Sequence, residues 1–164
     1  MVIMVKPIPD GYHNVTPTLT IKGASEAIEF YKKAFEAQEF YRFLGPDGTS
    51  IMHAEIKIGD SKIMLCDEIP QMGCLSPKST GGPSGAIYLY VQNSDDVFNK
   101  AVSAGAKPKM PMMDGFWGDR VGTLEDPFGH IWTIATHKKD MNVEEIRKAG
   151  EEFMKQMKAC SEQT

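Results

Sequence analysis

The sequence predicts an α+β fold in which two βαβββ modules share one structure and a C-terminal helix follows them. A pattern of strand, amphipathic helix and three further strands occurs twice, at about residues 12–68 and 86–137. A linker rich in proline, glycine and serine at 69–85 separates the two copies. A duplicated unit of this kind rarely buries its own apolar face, so we expect the two modules to pack together.

The first module begins with a half-buried strand, because residues 15–21 alternate apolar side chains with threonines. The segment 25–37 then places Ile28, Tyr31 and Phe35 on one stripe of an amphipathic helix. Three further strands are predicted at about 39–44, 51–58 and 62–67, separated by turns that contain glycine.

The second module repeats this order. Residues 86–91 alternate like the first strand, and Ser94 opens a helix whose buried stripe is predicted to contain Val97, Ala101 and Ala104. Strands follow at about 108–113, 120–124 and 131–136. A tight turn that contains a proline and a glycine joins the last two strands, so residues 117–137 read as the final hairpin of a sheet.

The C-terminal segment differs from both modules. We expect residues 1–139 to form a single domain and residues 140–164 to form an amphipathic helix and tail, with Asn142 as the cap. Ile146, Phe153 and Met157 lie on one stripe of this helix. That stripe either packs on its own domain or contacts a second subunit.

Composition excludes several classes of function. The formal charge is −4, the pI is about 5.6, and no clustered basic run occurs, which argues against nucleic acid as a partner. The N-terminal segment 1–10 contains two prolines and is too short for a signal core or a membrane span. Three cysteines, Cys66, Cys74 and Cys160, match no disulfide or zinc framework, so we expect reduced thiols and a cytoplasmic location.

Five short motifs give a more specific indication. They are Ala27-Ile28-Glu29-Phe30-Tyr31, Met52-His53-Ala54-Glu55, Leu65-Cys66-Asp67-Glu68, Trp117-Gly118-Asp119-Arg120 and Asp126-Pro127-Phe128-Gly129-His130. In two βαβββ modules, this combination resembles the vicinal oxygen chelate (VOC) superfamily, which groups glyoxalases, bleomycin-resistance proteins and extradiol dioxygenases. The resemblance covers about residues 12–137 and is greatest to the PhnB-like branch.

The resemblance implies a glyoxalase-like, eight-stranded, partly open mixed sheet around a cavity, with helices on its convex face. Enzymes of the superfamily hold one divalent metal in that cavity with His, Glu or Gln side chains. The corresponding positions here are Thr16, Met64, Ala86 and Thr133. Their side chains do not form an oxygen- and nitrogen-rich metal site, so we expect neither a metal nor another cofactor.

Strand alternation assigns a set of side chains to the wall of this cavity. The set combines hydroxyl groups with aromatic and sulfur-containing side chains, which suits a small organic ligand. The expected ligand-binding residues are Thr16, Thr18, Met64, Cys66, Tyr88, Tyr90, Trp117, Arg120 and Thr133. The alternative is a sheet face that is filled by its own side chains.

Two groups of residues suggest chemistry beyond simple binding. His53 and Glu55 lie on the polar face of one strand and form a candidate acid–base pair, although a structural hydrogen bond is the alternative. Arg120 beside Trp117 suits a clamp for a carboxylate or phosphonate. An ion pair of Arg120 with Asp119 or Glu55 is the competing interpretation.

Two functional hypotheses follow. The first is a glyoxalase/bleomycin-resistance-like protein that binds a small organic ligand, neutral or anionic, without the usual metal. The second is an enzyme of lyase, isomerase or dioxygenase type with an atypical site that uses His53, Glu55 and Arg120. The resemblance also implies a homodimer, because the superfamily commonly assembles its cavities from paired modules.

Overall fold

A computed structural model describes residues 5–161, so residues 1–4 and 162–164 and the side chains of Cys160 and Ser161 lie outside the described part. The first module contains β1 (Thr18–Ile21), α1 (Ala24–Phe35), β2 (Gln38–Leu44), β3 (Ile51–Ile58) and β4 (Ser61–Asp67). A 3-10 turn (Pro70–Met72) and the short helix α2 (Pro77–Thr80) follow. The second module contains β5 (Ala86–Tyr90), α3 (Ser94–Ser103), β6 (Lys107–Asp114), β7 (Asp119–Glu125) and β8 (Ile131–His137), and α4 (Val143–Ser161) ends the chain.

The predicted α+β class and the duplication are confirmed, but the eight strands form two four-stranded sheets rather than one continuous sheet. Their orders are β1-β4-β3-β2 and β5-β8-β7-β6, with the first pair parallel in each sheet. Strands β1 and β5 are therefore both edge strands. Pro17 precedes β1 and has no N–H to donate, and the Thr20 carbonyl of this edge lies 3.2 Å from His130 Nε2.

The core lies between the sheets and the pair of helices α1 and α3. The predicted stripe of Ile28, Tyr31 and Phe35 is buried, and Trp132 of β8 packs on it with a Phe35–Trp132 centroid distance of 4.6 Å. On α3 the buried aromatic residue is Phe98, whereas Val97 is only half-buried against the core. Because α1 of the first module packs on β8 of the second, neither module has a separate core.

A buried carboxylate links two of the motifs found in the sequence. Both oxygens of Asp126 are saturated, since Oδ1 accepts the backbone N–H groups of Phe128 and His130. Oδ2 accepts the hydroxyl of Tyr31 at 2.8 Å and the indole N–H of Trp132 at 3.0 Å. Asp126 therefore shapes the β7–β8 turn and joins it to helix α1 of the other module.

The motif at 65–68 also has a structural role. Asp67 Oδ1 accepts the N–H groups of Gly23 and Ala24 at the start of α1, while Oδ2 accepts the N–H of Ile51. Glu68 Oε2 accepts both the N–H and the hydroxyl of Ser76, which precedes α2. These carboxylates satisfy N–H groups that a helix start would otherwise leave without a partner.

Helix α4 begins with the predicted capping arrangement. The N–H of Glu145 donates to the Asn142 side chain at 3.0 Å, and the Glu145 carboxylate accepts the N–H of Asn142 at 2.8 Å. Phe153 packs on Phe116 with a centroid distance of 5.6 Å, so part of the stripe contacts the chain's own domain. Met157 of the same stripe is exposed.

Candidate functional site

Each sheet has one face covered by helices and one open face. On β5, Ile87 and Leu89 pack against the core, whereas Tyr88 and Tyr90 point to the other side and are 45% and 59% exposed. In the first sheet, Leu19, Ala54 and Leu65 are buried, and Thr18, Glu55 and Met64 lie on the opposite face by register. Each open face contains one buried carboxylate.

The carboxylate of the first face is Glu55 on β3, which is only 7% exposed. It accepts hydrogen bonds from the hydroxyls of Tyr12 and Tyr41, the latter at 3.2 Å. His53 Nε2 lies 3.4 Å from Oε1, and Lys62 Nζ lies 3.8 Å from Oε2. We call these five residues the Glu55 cluster. The structure thus brings together His53 and Glu55, the acid–base pair predicted from the sequence.

Hydrogen bonding determines the protonation states in the Glu55 cluster. Burial alone would raise the pKa of Glu55, but hydrogen bonds from Tyr12, His53 and Tyr41 outweigh it, so that this pKa is lowered. The hydrogen bond to Glu55 in turn raises the pKa of Tyr12 to about 12. Around neutral pH, Glu55 is therefore an acceptor that holds two phenolic donors.

A lysine completes the Glu55 cluster. Lys62 Nζ lies 3.9 Å from the ring centroid of Tyr12 and 4.6 Å from that of Phe40. An ammonium group at this distance is attracted by the negative face of an aromatic ring. The cluster therefore combines a buried carboxylate, hydroxyl-bearing rings and an internal cation.

The carboxylate of the second face is Asp119, the first residue of β7, which is 3% exposed. Its Oδ2 accepts three side-chain hydrogen bonds, from Tyr90 at 2.8 Å, Trp117 Nε1 at 3.0 Å and Tyr88 at 3.2 Å. Its Oδ1 lies 2.8 Å from His137 Nδ1. We call these five residues the Asp119 cluster. Three of the predicted ligand-binding residues, Tyr88, Tyr90 and Trp117, therefore converge on one oxygen atom.

The Asp119 cluster also has perturbed pKa values. Burial opposes ionisation of Asp119, but hydrogen bonds from His137, Tyr90, Trp117 and Tyr88 lower its pKa overall. The hydrogen bond to Asp119 raises the pKa of Tyr90 to about 12. The pKa of His137 is raised, chiefly by Asp119 and then by Asp140, whose Oδ1 lies 3.0 Å from Nε2.

The expected anion clamp of Arg120 and Trp117 is not found. Arg120 follows Asp119 on the strand, so its side chain lies on the helix-covered side. There it donates two hydrogen bonds to Asp95 of α3, at 2.9 and 3.1 Å, and lies 3.6 Å from Asp114. The ion-pair interpretation is therefore correct in kind, although the partner is Asp95 instead of Asp119 or Glu55.

The other predicted ligand-binding residues are divided between the two faces. Thr18 pairs with Met64 in register, and Cys66 follows two residues later on β4. Thr133 pairs with Tyr88, and its hydroxyl lies 3.2 Å from that of Thr123. Thr16 precedes β1, and its hydroxyl donates to the His13 carbonyl at 3.3 Å. These side chains add hydroxyl, thioether and thiol groups to the open faces.

The metal positions of the superfamily do not fit a divalent ion in this chain. Threonine hydroxyls, a thioether and a methyl group stand at Thr16, Met64, Thr133 and Ala86, and such groups are poor ligands for a hard or borderline cation. Within residues 5–161, no three His, Cys, Asp or Glu side chains are grouped so that they could share one ion. In the same range, no helix is long and apolar enough to cross a membrane.

Two cavities lie where the modules meet. A cavity of about 1260 Å³ lies between the two modules, and its lining includes Lys62 of one cluster, Tyr88, Tyr90 and His137 of the other, and residues of helices α1 and α3. A smaller one of about 470 Å³ lies between β1 and the start of β5. The larger volume is sufficient for an organic molecule of drug size.

Sequence reasoning missed part of each cluster. Tyr12 lies 43 positions from Glu55 in the chain, and the period of a strand gives no signal for such a contact. The sequence suggests Asp119 only as an ion-pair partner of Arg120, and it indicates no ligand-binding role for His137. Both occupy the same face as Tyr88 and Tyr90, because alternate residues lead forward from Thr133 to His137 and, across the hairpin, back from Thr123 to Asp119.

Comparisons with known proteins agree with this fold. A model of the family described as "Glyoxalase/Bleomycin resistance protein/Dioxygenase superfamily" matches residues 13–134. An uncharacterised protein of Mycobacterium bovis, Mb0911c, is 40% identical over 138 residues, which cover 82% of this chain and 90% of that protein.

Solved structures give the same result for the fold. A gene product from Arabidopsis thaliana has a TM-score of 0.60 and 24% identity, covering 76% of this chain and 98% of its own. A Bacillus cereus protein titled "Putative 3-demethylubiquinone-9 3-methyltransferase, PhnB protein" has a TM-score of 0.60 and 19% identity, covering 76% and 99%. At these identities the likeness concerns the fold alone.

Proposed function

The chain belongs to the Glyoxalase/Bleomycin resistance protein/Dioxygenase superfamily, and on that premise we propose that it binds a small organic ligand against its open sheet faces without the divalent metal usual in this superfamily. The Asp119 cluster is the observation that carries this proposal. It presents two exposed tyrosine rings whose hydroxyls, like the indole N–H of Trp117, are already bonded to one carboxylate.

The fixed orientation of these rings supports binding. A tyrosine that must be ordered on ligand binding costs conformational entropy, whereas Tyr88 and Tyr90 are already held by Asp119. The rings also contact each other with a centroid distance of 5.0 Å. A rigid, exposed aromatic surface of this kind is typical of binding sites rather than of a sheet face that only meets water.

The outcome for Arg120 changes the ligand class that we propose. Because its guanidinium group is paired with Asp95 on the helix side, it offers nothing to an anion in the cavity. The polar groups that line the larger cavity include the phenols of Tyr88 and Tyr90, the hydroxyl of Thr16, the imidazole of His137 and the amines of Lys57, Lys62 and Lys100. These groups suit an amphipathic molecule that combines a ring or a hydrocarbon body with a few polar atoms.

We also propose that the protein acts in the cytoplasm as a homodimer. A second copy would cover open faces that expose Tyr88 and Tyr90 in the single chain. Light scattering at micromolar concentration tests this proposal, and a monomer mass would contradict it.

The binding proposal is tested by ligand screening with two readouts on the purified chain. Organic amines, carboxylates, phosphonates, planar aromatics and glycopeptides are compared by thermal shift and by tryptophan fluorescence. A ligand at about 100 times its Kd should stabilise the protein by about 2.7 kcal/mol. It should also change the emission of Trp117, whereas Trp132 is fully buried and provides a constant background.

Trp117→Phe is the matched control for this screen, because it removes the reporter at the site and leaves the buried tryptophan in place. A ligand that binds at the open face should give no fluorescence change in this variant. The proposal is wrong if no class of ligand shifts the melting temperature, or if stoichiometric divalent metal copurifies and is required for binding.

One observation favours catalysis as a second candidate. His53 Nε2 lies 3.4 Å from the Glu55 carboxylate on an open face, as expected for a base and the group that orients it. If the protein is an enzyme, a bound ligand should be converted over hours, as followed by NMR, and His53→Ala should abolish the conversion but not the binding. Stable, unchanged ligand in the wild-type protein would exclude this alternative for that ligand.

A further inference from the structure

The two carboxylate clusters have the same kinds of groups but differ in one respect. Each contains a buried acid, two tyrosines that donate their hydroxyls to it, and a histidine within 3.4 Å of one of its oxygens. The Glu55 cluster also holds the ammonium group of Lys62 against an aromatic ring. In the Asp119 cluster, Trp117 is the additional member.

Within residues 5–161, the contacts between a lysine ammonium group and an aromatic ring lie outside the Asp119 cluster. They join Lys62 to Tyr12 and Phe40, and Lys78 to Phe128. The exposed rings of Tyr88 and Tyr90 in the Asp119 cluster, in contrast, line the cavity between the modules. From this difference we infer that the Asp119 cluster is a binding site for the organic ammonium group of a ligand. The inference rests on the proposed function and gives it a ligand class.

The chemistry of the cluster supports this inference in two ways. A phenol or indole that donates a hydrogen bond to a carboxylate becomes richer in electron density, and the face of its ring therefore attracts a cation more strongly. Both tyrosines and Trp117 are bonded in this manner to Oδ2 of Asp119. Trp, followed by Tyr, is also the side chain whose ring binds cations best.

The local charge favours a cation as well. The carboxylates of Asp119 and Asp140 lie 2.8 and 3.0 Å from the two ring nitrogens of His137, so two acidic groups flank one imidazole and the local charge is negative in either protonation state of the ring. Of the lysines that line the same cavity, Lys57 and Lys62 belong to the other module, and Lys100 of α3 is paired with Glu36 at 2.6 Å. An ammonium group over Tyr88 and Tyr90 therefore meets a negative potential without direct contact with a carboxylate oxygen.

A pair of ligands with the same shape isolates the contribution of charge. Choline and its neutral isostere 3,3-dimethylbutan-1-ol differ chiefly in the positive charge on the quaternary centre. Titrated into the full-length chain and followed by Trp117 fluorescence, choline should bind at least about tenfold more tightly, which corresponds to about 1.4 kcal/mol. A neutral apolar pocket would bind both with similar affinity.

Three variants locate the effect. Tyr90→Leu removes a ring and should weaken choline binding by about fivefold or more, while Tyr90→Phe retains the ring without its bond to Asp119 and should give a smaller loss. Phe43→Leu is the control, since Phe43 is an exposed aromatic residue of the first module that lies outside both clusters. Thermal melts of all three establish that each variant is folded.

The outcomes separate this inference from the proposed function. Equal affinity for choline and its isostere, or a loss with Phe43→Leu equal to that with Tyr90→Leu, would overturn the ammonium site. The same conclusion follows if choline fails to bind while another class in the ligand screen does, and in that case the binding function stands. If no ligand of any class binds, both proposals fail.

Discussion

Asn substitutions at two buried aspartates should have very different effects on stability. Asp119 and Asp126 are both almost completely buried, and each accepts four hydrogen bonds. An asparagine has the same shape but presents an oxygen on one side and an NH₂ group on the other. The consequence of each substitution depends on whether the partners on one side are able to accept hydrogen bonds from the NH₂ group.

At Asp126 neither orientation of the amide is satisfactory. Oδ1 faces two backbone N–H groups, and Oδ2 faces the indole N–H of Trp132, which only donates. The best arrangement for Asp126→Asn turns NH₂ toward Trp132 and Tyr31, where the tyrosine hydroxyl rotates to accept but the indole N–H is left buried without a partner. An unsatisfied buried donor costs about 1–3 kcal/mol, and exchanging charged for neutral acceptors adds to this, so we expect a loss of about 3 kcal/mol.

At Asp119 one orientation satisfies every partner. The amide oxygen retains the hydrogen bonds from Tyr88, Tyr90 and Trp117, while NH₂ donates to Nδ1 of a neutral His137 whose Nε2 still donates to Asp140. We expect Asp119→Asn to cost only about 1 kcal/mol. The pKa of His137, which the Asp119 carboxylate raises in the wild-type protein, should fall.

Urea unfolding with linear extrapolation measures both free energies, at one protein concentration for all variants. For a chain of this size, a loss of 3 kcal/mol lowers Tm by about 6–12 °C. NMR titration of His137 provides the second readout for Asp119→Asn. Equal losses for the two variants, or a value for Asp126→Asn within about 1 kcal/mol of wild type, would refute this account of the partners.

Two further predictions concern the turn before β7 and the acid limb of stability. Gly118 has φ +98°, and a Cβ there would overlap the backbone carbonyl of Lys139, whereas Gly48 has φ +70° with open space around it. Gly118→Ala should therefore cost about 2 kcal/mol or more and disturb Trp117 fluorescence, while Gly48→Ala should cost only about 1 kcal/mol; equal costs in urea unfolding would contradict this. A hydrogen bond from Arg42, aided by Lys32, lowers the pKa of Glu39 to about 2, so its contribution is complete above the unfolded pKa and is lost as pH falls toward 2. Glu39→Gln should therefore reduce the fall in the free energy of unfolding between pH 6 and pH 3. An unchanged fall would exclude Glu39 as a source of acid sensitivity.

The elements of the fold could be predicted because their signals are local. The alternation at 51–58 and the stripe of Ile28, Tyr31 and Phe35 each reflect a periodic choice between core and surface, and the structure places a strand and a buried helix face there. The division into two sheets has no such signal. It depends on whether the edge strands β1 and β5 pair with each other. Pro17 has no N–H to donate to such a pair, and the Thr20 carbonyl contacts His130 instead.

The candidate site could be predicted only in part, and Arg120 shows why. Its neighbour Trp117 suggests a shared anion site, but Arg120 pairs with Thr136 in register and therefore lies on the helix side, one position from the open-face residue Asp119. An error of one residue moves every side chain of a strand to the opposite face. Tyr88 and Tyr90 are assigned correctly to one face, because alternation within a single strand does not depend on any other segment.

The hydrogen-bond donors of each buried carboxylate show whether that carboxylate stabilises the fold or belongs to the candidate site. Asp67 accepts only backbone N–H groups, and Asp126 accepts two of them together with the buried side chains of Tyr31 and Trp132, so both act on helix starts, turns and the core. The hydrogen bonds of Glu55 and Asp119 come from side chains on open faces. A carboxylate of this second kind contributes little to chain geometry, yet it fixes aromatic rings at a surface that the cavity reaches. For this reason the motif at 126–130 identifies the family, while Asp119, seven residues earlier, directs the search for a ligand.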